Sequence, residues 1–145
     1  DILFRLSRAE GVAILITTHY MLEAEHCDRL ALLFAGRLVA DAAPAVLKRE
    51  VEAEAGTLLE IACSQPLLAM EQLAQAGFRE TALFGKHIHL LSLTAERDRA
   101  RIPPLLAAGG IQVDSIAVQP LSMEDVFVYR VTALERHAAQ AGARA

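Results

Sequence analysis

Apolar and polar residues follow two periodicities along this chain, and the pattern predicts an α/β protein built from short elements. The apolar run of residues 12–16, followed by Thr17, predicts a buried strand. Apolar residues at helical spacing precede it, and Gly11 marks the end of that first helix. The elements predicted for the first part are a helix over 1–10, a strand over 12–17, a helix over 20–27, strands over 30–34 and 37–40, and a helix that begins at Pro44 and fades over 51–55.

The pattern from residue 57 onward predicts a second unit with the element order βαββαβ. Gly85 and Lys86 lie between two predicted strands and indicate a hairpin turn. This order is that of a ferredoxin-like domain. Ser122-Met123-Glu124-Asp125 predicts a capping box that opens a final helix ending near Ala138. The other elements predicted for this unit are strands over 57–63, 78–84, 87–93 and 111–118, a helix over 66–76, and a helix that begins at Pro103-Pro104 and ends at residue 108.

These patterns divide the chain into two domains. We predict a first domain over residues 1–50, a linker over 51–56, a second domain over 57–138 and a tail over 139–145. The second domain is expected to fold by itself, because its element order is self-contained. The first 50 residues are expected to be loosely packed, swapped into a partner chain or partly disordered, because their strands lack sheet neighbours within this chain.

Composition excludes several classes of protein. The chain is 54% hydrophobic, but its longest apolar runs are far shorter than the roughly 18 residues that a membrane-spanning helix needs. The net charge of −4 and the pI near 5.7 argue against nucleic acid as a partner. Cys27 and Cys63 indicate reduced thiols rather than a disulfide framework. The chain starts at Asp1 without methionine or signal peptide, inside a predicted helix, which we interpret as the start of a fragment.

The strongest functional signal lies in residues 12–25, where the predicted strand delivers His19 to its carboxyl end. In open α/β sheets, ligands bind in the crevice outside the carboxyl ends of the strands. A histidine at such a position can form a hydrogen bond with a phosphate oxygen, and its charge changes near neutral pH. The sequence contains no G-x-x-x-x-G-K-[ST] phosphate loop. This chain is therefore expected to hold only half of a phosphate site.

Residues 17–29, with the sequence TTHYMLEAEHCDR, resemble the switch-histidine loop of ATP-binding subunits of ABC transporters. Residues 30–41 resemble the two short strands that follow this loop in that family. The Met-x-Glu-Ala-Glu pattern is typical of the branch that drives multidrug and polysaccharide exporters. A weaker likeness continues through residues 120–127. The chain departs from the family at Ala42-Ala43-Pro44, where a Gly-Thr-Pro or Gly-Ser-Pro turn is usual.

The resemblance implies a role for His19. In that family, the switch histidine contacts the γ-phosphate of ATP and helps to position the attacking water, so His19 is the predicted catalytic and ATP-binding residue. The physical reason is electrostatic, because a preorganised donor stabilises charge on the transferring phosphoryl group. Thr17 is assigned to the strand and Thr18 to the helix cap, and neither is assigned to nucleotide.

The resemblance also implies cofactors and partners for a full-length subunit. Such a subunit binds ATP and Mg²⁺ and works with a membrane-spanning permease subunit and a second ATP-binding subunit. It lies in the cytoplasm, at the inner face of the cell membrane. In the family, the P-loop lysine, the Mg²⁺ ligand and the catalytic glutamate lie upstream of the switch histidine. We therefore expect this chain alone to bind no cofactor and to have no ATPase activity.

Two groups of residues suggest a metal site, but we interpret both in another way. Glu23 and His26 share a helix face, yet no second Glu-x-x-His exists, so a solvated acidic helix start is the simpler interpretation. His87 and His89 lie on the same face of a strand, but no third ligand is indicated. We interpret them as surface or helix-covered residues and predict no metal site.

A second class of function stays open from the sequence. The chain could be a free-standing regulatory module that binds a small ligand or a partner on a ferredoxin-like sheet, without ATPase activity. The sequence upstream of residue 1 would separate the two hypotheses. A phosphate loop and an Asp-Glu strand end in that region would favour the ABC transporter hypothesis.

Overall fold

The computed structural model of the chain describes residues 2–142 and shows a mixed α/β fold with two antiparallel sheets. Within this range, no helix combines the length and the apolar character that crossing a bilayer requires. In chain order, the elements are α1 (Ile2–Glu10), α2 (Met21–Ala24), β1 (Leu30–Phe34), β2 (Arg37–Ala42), α3 (Pro44–Ala55), β3 (Thr57–Cys63), α4 (Pro66–Gln75), β4 (Thr81–Phe84), β5 (His87–Ser92), α5 (Ala95–Ala108), β6 (Val113–Gln119) and α6 (Met123–Gly142).

The larger sheet contains four strands in the order β4-β5-β3-β6, and each neighbouring pair is antiparallel. Gly85 and Lys86 join β4 to β5, as the sequence predicts. Helix α4 connects β3 to β4, and helix α5 connects β5 to β6. The element order of residues 57–119 is therefore the predicted βαββαβ. The smaller sheet is the hairpin of β1 and β2.

One face of the four-stranded sheet carries the first hydrophobic core. Leu59 and Ile61 of β3 and Ile88 and Leu90 of β5 alternate along their strands and are almost completely buried. Helices α4 and α5 cover this face. Burying one such side chain stabilises the fold by about 1.5–3 kcal/mol relative to leaving it in water. The helical residues buried in this core are Ala69, Leu73, Ile102 and Leu106.

The opposite face of the same sheet is partly charged and is covered by α6. It presents Leu58 and Glu60 of β3 and His89 and Leu91 of β5. A second core forms between this face, the start of α6 and the first part of the chain. The two parts of the chain therefore share one core. Its buried residues are Ala24, Leu30, Leu32, Leu47, Val51, Leu58, Leu121, Met123 and Val126.

Residues 12–17 do not form the buried strand that the sequence predicts. They have no regular secondary structure, and the side chain of Leu15 is 97% exposed. A strand needs a neighbour to pair its backbone groups, and none of the strands within residues 2–142 pairs with this segment. The predicted loose packing is therefore confirmed for this segment. For residues 30–50 it is wrong, because β1 and α3 contribute to the second core.

Helices α2, α3 and α6 differ from their predictions in where they end. Helix α3 continues to Ala55 through the predicted linker, because Val51 and Ala55 extend the buried stripe that includes Leu47. Helix α2 ends at Ala24 instead of near residue 27. Helix α6 continues to Gly142 and so includes the start of the predicted tail. Residues 143–145 of that tail lie outside the described residues.

Helix α5 begins at Ala95, eight residues before the predicted start, so that Pro103 and Pro104 lie inside the helix. A buried carboxylate explains the earlier start. Asp98 accepts hydrogen bonds from the hydroxyl groups of Ser92 and Thr94, which fixes the first turn. A proline inside a helix costs about 3 kcal/mol. The burial of Ile102 and Leu106 on either side of the prolines offsets that cost.

Gly56 joins α3 to β3 in a conformation that other residues rarely adopt. Its φ and ψ angles are 91° and −154°, a region that is essentially restricted to glycine. The backbone of β5 also passes close to it. A Cβ atom at this position would lie 2.1 Å from the carbonyl oxygen of Ser92. The close contact between the end of α3 and the end of β5 therefore requires glycine.

Replacing this glycine tests the close contact. We expect Gly56→Ala to lower the free energy of unfolding by about 3 kcal/mol or more, because both backbone strain and a clash with backbone atoms oppose it. Gly77→Ala is the matched control, since Gly77 has a similar φ of 95° but no atom within 4 Å of the added Cβ. The control is expected to lose about 1 kcal/mol. Urea unfolding measures both values, and equal losses would contradict the close approach.

Candidate functional site

His19 lies in the loop that joins residues 12–17 to helix α2, and its side chain is exposed. The backbone N–H of Tyr20 donates a hydrogen bond to Thr18 Oγ1 at 3.0 Å, which tightens the loop just before the helix. The rings of His19 and Tyr20 lie 4.2 Å apart between centroids. Thr18 therefore shapes the turn, but it is not the predicted helix cap, because Tyr20 occupies the N-cap position and no side chain caps α2. The imidazole of His19 is accessible to a ligand from the solvent side.

Helix α2 is a single turn whose end is fixed by Glu25. Ala24 is buried in the second core. The carboxylate of Glu25 accepts a hydrogen bond from Lys48 Nζ at 2.6 Å through Oε2, and one from the backbone N–H of Met123 at 2.7 Å through Oε1. These two donors belong to α3 and to the first turn of α6. The segment that carries His19 is thus connected directly to both helices.

The first turn of α6 is closed by the predicted capping box. The N–H of Asp125 donates to Ser122 Oγ at 3.2 Å, and the N–H of Ser122 donates to Asp125 Oδ2 at 2.9 Å. Asp125 thus occupies the position that glutamate or glutamine usually takes in this motif. Its shorter side chain leaves Oδ1 free to reach the sheet. This prediction from the sequence is confirmed.

His89 connects α6 to the charged face of the sheet. Its Nδ1 lies 2.6 Å from Asp125 Oδ1, and its Nε2 lies 3.3 Å from Glu60 Oε2. Its ring stacks on that of Phe84, with 4.2 Å between the centroids. Only the protonated imidazole can donate to both carboxylates at once. The side chain is 14% exposed, so the three groups form a partly buried charged cluster.

The cluster shifts the pKa of each of its members. Burial alone would lower the pKa of His89, but the hydrogen bonds with Asp125 and Glu60 outweigh it and raise the pKa. Burial would raise the pKa of Asp125, but the bonds from His89 and Ser122 outweigh it and lower the pKa. The hydrogen bond from His89 is the main cause of the lowered pKa of Glu60. The charged forms are therefore favoured on all three residues.

The residues that suggested a metal site have other contacts. His87 and His89 share one face of β5, as predicted, and both approach the same oxygen of Glu60. Glu23 is exposed on α2. The interpretation of the acidic helix start as purely solvated is wrong for one member, since Glu25 bridges two helices. The local pattern could not reveal this role, because Met123 lies 98 residues away in the sequence.

Sequence comparison with known proteins shows which proteins this chain is similar to. The chain is 34% identical over 129 residues to Nod factor export ATP-binding protein I of Burkholderia lata, a match that covers 88% of this chain and 39% of that protein. It is 33% identical over 129 residues to the Rhizobium meliloti protein of the same name, covering 88% of this chain and 35% of that protein. No family model matches the chain.

A third relative is the probable multidrug ABC transporter ATP-binding protein YbhF of Escherichia coli. The match is 46% identical over 41 residues, which covers 28% of this chain and 7% of that protein. The chain belongs to the family of ABC transporter ATP-binding subunits. The resemblance to this family that the sequence indicates is thereby confirmed. The chain spans about two fifths of the length of the Nod factor export proteins that it matches.

The charged cluster predicts a pH-dependent stability. Folding raises the pKa of His89. The contribution of this residue to the free energy of unfolding is therefore fully present below its unfolded pKa of about 6.5, and it is lost as the pH rises through the folded pKa. Between pH 6 and pH 9, we expect the free energy of unfolding to fall by about 1.5–3 kcal/mol, the usual contribution of a hydrogen bond to a charged group. His89→Gln should remove this decline, because glutamine does not titrate.

The control for this prediction is His137→Gln, which replaces an exposed histidine of α6. This variant should keep the wild-type dependence on pH. The measurement is the urea unfolding of wild type and both variants at several pH values. A decline of equal size in His89→Gln and wild type would show that the cluster does not link α6 to the sheet in the charged form.

Proposed function

We propose that this chain is the C-terminal part of the ATP-hydrolysing subunit of an exporter and that His19 is its switch histidine. The observation that carries the proposal is the placement of His19, which follows Thr17-Thr18 and precedes the acidic helix of the family pattern. Its exposed imidazole lies on a loop that Thr18 and α2 shape. A ring N–H in this position can donate to a γ-phosphate oxygen and stabilise the charge of the transition state.

The exposed apolar segment before His19 supports this proposal. In the full-length subunit, residues 12–17 would be a strand of the nucleotide-binding sheet and would pair with strands from the remainder of the subunit. The exposure of Leu15 is consistent with a missing neighbour. Such pairing would place His19 at the carboxyl end of a strand, where ligands bind. The remainder of the subunit would make most of the contacts with ATP and Mg²⁺, and His19 would add one hydrogen-bond donor to the nucleotide.

We further propose that residues 57–138 form a ferredoxin-like accessory domain. The strand order β4-β5-β3-β6, with two helices on one face, supports this assignment. Helix α6 covers the other face and adds one helix to the βαββαβ unit. The boundary between the domains falls near Gly56, although the second core crosses it. The tail predicted over 139–145 begins within α6, which extends to Gly142.

The partners in this proposal are a membrane-spanning permease subunit and a second ATP-binding subunit. The subunit would work in the cytoplasm, at the inner face of the membrane. The names of the relatives support export as the process, since they include Nod factor export and multidrug transport. The membrane partner sets the transported substrate, so the residues of this chain do not define it.

A free-standing module that binds a ligand on the four-stranded sheet is less well supported by the structure. Such modules bind ligands on an open sheet face or in a cavity. Here α4 and α5 cover one face, and α6 covers the other. The cavity between α6 and the sheet, lined in part by Phe84, His89 and Tyr129, has a volume of about 30 Å³. That space suits about one water molecule.

The role of His19 is tested in the full-length subunit. We expect His19→Ala to leave the affinity for ATP nearly unchanged and to lower turnover by about 10- to 1000-fold, because one preorganised transition-state donor is lost. The measurements are steady-state ATPase kinetics and nucleotide-binding titrations. His137→Ala, which changes an exposed residue of α6, is the control and should retain wild-type turnover. Normal turnover in His19→Ala would refute the role assigned to His19.

A further inference from the structure

We propose that Glu25 is a positioning residue that couples the docking of α6 to the placement of His19. The inference rests on the proposed function of His19 and adds a second residue to the same site. Glu25 lies six positions after His19, at the end of α2, and its carboxylate holds both α3 and the first turn of α6. It therefore links the histidine loop to the four-stranded unit.

The first step of the argument is the geometry of the carboxylate. Its two oxygens have different partners, the Lys48 ammonium at 2.6 Å and the Met123 N–H at 2.7 Å. The side chains of Glu25 and Lys48 are only 25% and 27% exposed. Hydrogen bonds with a charged partner are about twice as strong as neutral ones, and partial burial reduces their screening by salt. Glu25 is thus fixed in position by two separate elements.

The second step is that α2 cannot hold its own position. A helix of four residues is far below the length at which a helix is stable by itself. Before it, residues 11–20 have no regular secondary structure. The anchors of α2 therefore lie outside the helix itself: Met21 and Ala24 pack in the second core, and Glu25 at its end binds the two helices. A change at Glu25 is transmitted to His19 through a single helical turn.

The third step connects Glu25 to the sheet. Met123 N–H is one of the N-terminal groups of α6 that have no acceptor within the helix, and a carboxylate at this end is also favoured by the helix dipole. Asp125 of the same turn holds His89 of β5. The first turn of α6 is thus bound to β5 on one side and to Glu25 on the other. Movement of α6 on the sheet would shift Glu25 and, with it, the histidine loop.

A purely structural role for Glu25 predicts a different result. Replacing a residue that only stabilises the fold lowers the amount of folded protein. The size of this loss does not depend on whether His19 is present. Replacing a positioning residue lowers kcat and leaves the KM for ATP nearly unchanged. The same replacement has no further effect in a variant that lacks His19. A double-mutant cycle between Glu25 and His19 separates the two roles.

The experiment uses the full-length subunit with its transporter partner. We expect Glu25→Ala to lower kcat by about 10-fold with the KM for ATP within about twofold of wild type. In the His19→Ala background, Glu25→Ala should cause no further loss. Glu25→Gln keeps an oxygen acceptor for the Met123 N–H and should stay within about threefold of wild type. Glu23→Ala, which removes an exposed carboxylate of the same helix, is the matched control and should leave turnover unchanged.

Several outcomes would overturn the inference. If Glu25→Ala causes the same fold loss with and without His19, the two residues act independently and Glu25 does not position His19. Wild-type turnover in Glu25→Ala would also refute it. If Glu25→Ala fails to fold, the same cycle is measured with Lys48→Ala, which removes one of the two donors that hold Glu25, and an equal loss in both backgrounds again contradicts the proposal. Wild-type turnover in His19→Ala is a distinct result, since it refutes the proposed role of His19 itself.

Discussion

The covering of the charged sheet face by α6 is the constraint on which the remainder of this structure depends. The face carries Glu60 and His89 beside Leu58 and Leu91. Charged groups under a helix are costly unless each has a partner. Asp125 supplies the missing partner for His89, and Met123 and Val126 cover the apolar part. The position and the rotation of α6 are thus defined together by a charge pair and a hydrophobic contact.

The same first turn of α6 also organises the first part of the chain. Its N-terminal N–H groups need acceptors, and Glu25 provides one from α2. Further along, Arg130 pairs with Glu50 and Glu54 of α3. These exposed pairs contribute at most about 1 kcal/mol each, so the shared apolar core carries most of the docking energy. Residues 21–55 are therefore ordered against α6, whereas residues 12–17 are not.

The sequence predicts the parts of this protein whose partners are local. The strands over 57–63, the turn at Gly85 and the capping box at Ser122 agree with the structure, because alternation, turn chemistry and caps act over a few residues. The sequence does not predict features that depend on contacts between residues far apart in the chain. Helix α5 starts early because a side chain of β5 binds Asp98, and the link between Glu25 and Met123 has no local signature. His19 is found through its family pattern, while its phosphate-binding role is a proposal.

The central claim is that α6 unites β1, β2 and α3 with the four-stranded sheet in one core. Native-state hydrogen exchange of this chain, followed residue by residue by NMR, tests it most directly. The account predicts that the paired amides of β1 and the amide of Met123 open with free energies close to those of β3, because they share a cooperative unit. Residues 12–17 should exchange almost without protection. Rapid exchange of β1 and Met123 beside a protected β3 would contradict the shared core.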